Sequence, residues 1–133
     1  MKQDAYNPFI IFSGQTAISE ALHFSAERRN KIQAELTQLS IKYTLVKGSY
    51  KGVEEDAFLV SSSHEALVQA LCERFNQESY LKVSTYRVAE LVYLRADGNK
   101  VHDVIGSFQS VSEEEALSHD AWTRHNGQYY IVK

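Results

Sequence analysis

The sequence has a single cysteine, Cys72, so no intramolecular disulfide can form. That excludes a disulfide-stapled scaffold and points to a reducing compartment, read here as the cytoplasm. Long apolar runs are also missing. Near the N-terminus only four consecutive apolar residues occur, Phe9–Phe12, too few for a signal-peptide core or a membrane span. Positive charge is not in excess: 14 Lys and Arg stand against 17 Asp and Glu, a net charge of −3. A protein that relies on broad phosphate neutralisation needs a basic face, so nucleic acid is not an expected partner. No Gly-x-Ser-x-Gly elbow surrounds any serine. Ser13-Gly14-Gln15-Thr16 is a glycine turn after an apolar run, but it lacks the second glycine and the lysine of a phosphate loop. None of the five histidines forms a His-x-x-x-His pair, and no second cysteine exists to help hold zinc.

What is present fits one domain over residues 1–133. Hydrophobic residues make up 44% and charged residues 23%, which suits a chain that buries a core and argues against disorder. Residues 9–13 have strand length. Ser25 is placed to cap a helix over 26–39, where Ile32, Leu36 and Leu39 form one stripe. Residues 41–47 alternate as a strand. Residues 48–52 read as a loop, and 55–60 as a central strand ending in the apolar run AFLV. Ser62-Ser63-His64-Glu65 has the pattern of a capping box for a helix reaching about Phe75. Residues 78–83 form the next strand, and strand–helix–strand permits a parallel crossover or an antiparallel arrangement. Asp97-Gly98 and Asn126-Gly127 each signal a hairpin. Ser112-Glu113-Glu114-Glu115 opens a short helical turn. The predicted class is α/β (α+β): a mixed, mostly antiparallel sheet of about five to seven strands with two main helices on one face. Residues 84–133 complete it as C-terminal hairpins.

The loop around Tyr50 and the turn around Gln77 concentrate aromatic, acidic and amide side chains. Tyr50, Glu55, Gln77 and Tyr80 are candidates for a polar pocket with an aromatic wall, suited to a planar ligand such as a nucleobase. Arg28 and Arg29 could stand at its rim as anion contacts, or simply be solvated. Glu54 and Asp56 share one side of a strand and Glu55 takes the other. These acids either solubilise a strand end or let Glu55 accept hydrogen bonds from a ligand or from the Gln77 turn. Gln77 could equally bond the backbone of its own turn. Cys72 lies on the apolar stripe of its helix and reads as a buried, inert thiol. Trp122 and Tyr129, in the last hairpin, are candidate partner-binding anchors, and Trp122 would serve as well as a core plug.

The acid followed by AFLV, Glu55-Asp56-Ala57-Phe58-Leu59-Val60, and the turn Phe75-Asn76-Gln77-Glu78-Ser79 resemble the domain-of-unknown-function family 3293. The resemblance covers roughly residues 8–83, and the C-terminal part looks similar to the tails of phage-encoded members. Asn76 stands where the family usually has glycine, and Asp56 where many members have proline. The resemblance implies architecture and a phage origin rather than a reaction. With no catalytic, cofactor or metal motif in the sequence, it points to a non-enzymatic protein that binds a host or phage protein. The alternatives are sequestration of a small nucleotide-like ligand, or a small metal-dependent hydrolase or nuclease using Glu54, Glu55 and His102 or His119. The sequence leaves open a homodimer, and whether the C-terminal hairpin completes the sheet or mediates dimerisation; a membrane is not an expected partner.

Overall fold

The computed structural model describes residues 7–13, 22–50, 53–75, 77, 79–95 and 97–133. Its strands are β1 (Phe9–Phe12), β2 (Thr44–Tyr50), β3 (Val53–Ser61), β4 (Ser79–Val83), β5 (Val88–Leu94), β6 (Lys100–Val111), β7 (Ala121–His125) and β8 (Gln128–Val132). The helices are α1 (Leu22–Gln38), α2 (Glu65–Arg74), entered through a 3₁₀ turn at Ser62–His64, and α3 (Glu113–Leu117). The strands close into a barrel in the order β1-β3-β2-β7-β8-β6-β5-β4, and every neighbouring pair is antiparallel.

The expected mixed sheet of fewer strands, with both helices on one face, is therefore corrected to an eight-stranded closed antiparallel barrel. Two features close it. β1 pairs with β3 on one side and β4 on the other. β6 is long enough to pair first with β5 and then, from Phe108 to Val111, with β8. β3 and β4 run parallel to each other only because β1 lies between them, so the β3–α2–β4 unit is a crossover without direct strand pairing. Closure removes the exposed edges that an open sheet would have to protect.

Side-chain alternation then sorts the strands into an outer and an inner face. On the outer face Ile10, Phe12, Phe58, Val60, Tyr80 and Val92 pack beneath Ile32 and Leu36 of α1 and Val68, Leu71 and Cys72 of α2. Each such fully buried side chain contributes about 1.5–3 kcal/mol of transfer free energy. On the inner face Phe9, Val83, Ala89 and Phe108 form a second cluster with Leu59, Leu81 and Tyr130. α3 covers a third cluster of Trp122, Tyr129 and Ile131.

Several local expectations change. α1 begins at Leu22, so Ser25 lies inside the helix rather than at its cap. β2 starts later than expected and runs through Gly48 to Tyr50, because Gly48 is held in the ladder opposite Glu55. Ser61, not Ser62, caps the turn before α2, accepting from the Ser63 N–H. Glu65 does not complete a capping box, because Lys82 and Tyr80 of β4 take its carboxylate. Ser112 does accept from the Glu115 N–H at 3.1 Å. Asn126 (φ 52°) and Gly127 (φ 77°) turn the β7–β8 hairpin with both residues left-handed, as a type I′ turn requires. Among the described residues no helix is long and apolar enough to cross a membrane.

Candidate functional site

One mouth of the barrel is formed where β1 ends, β2 ends, β3 begins and β4 begins. Glu55 faces inward there, on the same face as Ala57 and Leu59, whereas Asp56 faces outward with Phe58. The hydroxyl of Ser13, just past β1, donates to Glu55 Oε1 at 2.7 Å. Gln77 places its side-chain oxygen 3.2 Å from the same hydroxyl. One hydroxyl carries one proton, so Ser13 cannot donate to both. The shorter contact, to Glu55, takes that proton, and the Gln77 side-chain amide lies beside the same hydroxyl.

This inward position gives Glu55 its electrostatic character. Burial pushes its carboxyl above the ordinary glutamate range, the Ser13 hydrogen bond opposes that, and the neighbouring Asp56 charge adds to it. The space beside it is open. Gly48 sits opposite Glu55 in the ladder, and a Cβ built there would meet nothing within 4 Å. On the far side of the mouth Ser79 pairs with Tyr93, which is 40% exposed and shares its face.

The structure thus brings Glu55 and Gln77 together and separates the other candidates from them. Tyr80 points outward into the helix-covered core, where its hydroxyl donates to Glu65 at 2.6 Å and accepts from Gln69 at 3.0 Å. Arg29 also lies outside the barrel, paired with Asp56 at 2.6 Å, and Lys47 joins the same carboxylate at 2.7 Å. Both contacts hold Asp56 below the usual aspartate range, that of Lys47 most strongly. Arg28 is half-buried on α1. The side chain of Tyr50, at the end of β2, falls outside the described part of the structure. Trp122 and Tyr129 are both 8% exposed and pack edge to face at 5.2 Å. Arg124 covers both rings, so they form the floor of α3 rather than an exposed patch. Cys72 is buried, and burial pushes its thiol up to about 12.

Sequence reasoning passed over Ser13 as a partner for Glu55. The two are 42 positions apart, and only the β1–β3 pairing joins them. The alternation 55/57/59 was the one signal that put Glu55 on a different face from Glu54 and Asp56. The histidine chemistry does not assemble: His102 pairs with Glu90 at 3.2 Å on the β5–β6 hairpin. Among the described residues no group of three or more His, Cys, Asp or Glu side chains could hold a metal ion.

The family model described as "S-Adenosylmethionine lyase family" matches residues 17–133. No curated protein matches the sequence. The family match overturns the resemblance to the domain-of-unknown-function family 3293, and with it the phage origin that the resemblance carried. It also overturns the expected non-enzymatic role, whether binding a protein or sequestering a ligand, because the family is one of enzymes, and it names a lyase rather than the hydrolase or nuclease alternative. That misreading has a physical root: no short catalytic, cofactor or metal motif stands in the sequence to mark a reaction. The match spans α1 and seven of the eight strands, including Glu55, Gly48 and Gln77, and the chain belongs to the S-adenosylmethionine lyase family.

Proposed function

We propose that this protein cleaves S-adenosylmethionine at the Glu55 mouth of the barrel, breaking a carbon–sulfur bond without adding water. The observation that carries the reading is the inward Glu55 carboxylate, hydrogen-bonded by Ser13 and facing open space beside Gly48. The substrate is a sulfonium with an ammonium on its amino-acid arm. A half-desolvated carboxylate attracts such cations far more strongly than one in water.

The chemistry narrows the role further. When the bond breaks, its electron pair leaves with sulfur, which becomes a neutral thioether. A carboxylate set directly against sulfur would favour bound substrate over the transition state, because the charge it pairs with is disappearing. Glu55 therefore serves better by holding the ammonium, which keeps its charge and fixes the angle at which the bond is presented. The methyl carbon has no neighbouring carbon through which the substrate could satisfy it internally. The bond to the amino-acid arm, next to the group Glu55 holds, is the one broken: the substrate's own carboxylate oxygen bonds to the γ-carbon as the C–S electron pair leaves with sulfur, closing a five-membered lactone and releasing the neutral thioether. Tyr93 stands at the same rim as a stacking surface for the purine.

Incubation with S-adenosylmethionine in ¹⁸O-labelled water tests this. The expected products are a methylthio-nucleoside and an unlabelled four-carbon fragment. In Glu55→Gln, kcat/KM falls by about 10²–10³, the scale of losing a charge-assisted contact in a shielded site. Intact substrate, ¹⁸O in the primary product, or full activity in Glu55→Gln would overturn the proposal.

A further inference from the structure

The opposite mouth of the barrel holds a second cavity. It opens where β1 begins, β2 begins and β3 ends, at the other end of the strands from Glu55, and has a volume of about 1690 Å³. Its floor is aromatic: Phe108 stacks on Tyr130 at 5.1 Å with 12° between the planes, and Phe9 meets Phe108 edge-on at 5.3 Å. These rings belong to one apolar cluster with Leu59 and Leu81, and the described lining includes none of Ser13, Gly48, Glu55 and Gln77.

Its charge is one-sided. The described lining includes Lys42, Arg87, His64 and His125, and no Asp or Glu. The whole chain has more acidic than basic residues, 17 against 14, so an acid-free, cation-bearing wall departs from the average surface. Thr44 and Thr123 add hydroxyls to the inner wall. Flat rings below, hydroxyls along the wall and positive charge at the rim complement one kind of occupant.

We infer that this cavity binds an organic anion with a flat aromatic body, on residues other than Ser13, Gly48, Glu55 and Gln77. The anion meets Lys42 and Arg87 at the rim while the ring system lies against Tyr130 and Phe9.

Fluorescence titration with 8-anilinonaphthalene-1-sulfonate, an aromatic sulfonate, tests this, with uncharged N-phenyl-1-naphthylamine as its control. The sulfonate is expected to bind one-to-one and more tightly than the neutral amine. Lys42→Glu, an exposed substitution, should weaken the sulfonate roughly tenfold and leave the neutral probe unchanged. Thr123→Trp, which fills the lumen, should abolish binding of both. Glu55→Gln should bind the sulfonate as the wild type does, whatever the fate of the lyase reading. Equal affinity for the two probes, several sulfonates per chain, or sulfonate binding indifferent to Lys42→Glu and Thr123→Trp would overturn the inference.

Discussion

Replacing Ser13 by alanine should change how the reaction depends on pH more than it changes the fold. Ser13 is 6% exposed and its hydroxyl lies 2.7 Å from Glu55 Oε1. Burial pushes the Glu55 carboxyl up, and the Ser13 hydrogen bond pulls it back. A hydrogen bond to a charged group contributes about 1.5–3 kcal/mol. Glu55 is only partly buried, so the lower end applies, and about 1.4 kcal/mol is a factor of ten in an equilibrium. On the acidic limb the ionised fraction of Glu55 should fall roughly tenfold in Ser13→Ala, moving the limb of kcat/KM to higher pH. The high-pH plateau should be closer to wild type. Stability carries the same signature. A carboxyl raised above its unfolded value contributes stability that is complete below the unfolded value and is lost as pH rises through the folded value. The variant should therefore be penalised more near neutral pH than in acid. Melts followed by circular dichroism should show a Tm deficit of roughly 5–8 °C near neutrality, shrinking toward pH 4. A uniform drop in kcat/KM with an unmoved acidic limb would refute the reasoning.

Other substitutions probe the two faces of the barrel separately. Gly48→Val fills the open space beside Glu55, so KM should rise at least about tenfold with Tm little changed; an unaltered KM would place the substrate elsewhere. Tyr80→Phe removes a buried hydroxyl shared by Glu65 and Gln69. It should cost about 1–2 kcal/mol in urea unfolding while leaving kcat/KM intact, because Tyr80 faces away from Glu55. Asp56→Asn loses the pairs to Arg29 and Lys47, which are about one-third exposed, so a cost of only about 1 kcal/mol is expected. The lowered Asp56 carboxyl contributes stability above its unfolded value and loses it as pH falls through the folded value. The difference between Asp56→Asn and wild type should accordingly close in strong acid, which thermal melts at a series of pH values would show.

Much of the local structure was legible because local chemistry dictates it. Asn126-Gly127 and Asp97-Gly98 placed their hairpins, since left-handed turn positions admit few residues. Ile32 and Leu36 marked the buried stripe of α1, and Leu71 and Cys72 that of α2, because a helix turns its apolar residues to one side, whereas Leu39, expected on the same stripe, lies past the end of α1 and is exposed. Glu65 shows where such reasoning stops. Its spacing from Ser62 fits a capping box, but a lysine and a tyrosine on β4 compete for the same carboxylate and win. Glu55 and Gln77 were legible as a pair of polar residues near one turn. Tyr80, Arg28 and Arg29 looked equally eligible, because distance along the chain does not report which side of a sheet a residue occupies.

The sequence by itself determined the helices' buried stripes, the hairpin turns, the inert Cys72 and the separation of Glu55 from its acidic neighbours by strand alternation. Each depends on residues a few positions apart. Only the tertiary structure decided that the sheet closes, that Ser13 reaches Glu55 across 42 positions, and that the barrel has two mouths of different character. Those follow from strand pairing and register, which are settled by packing contributed from the whole chain at once.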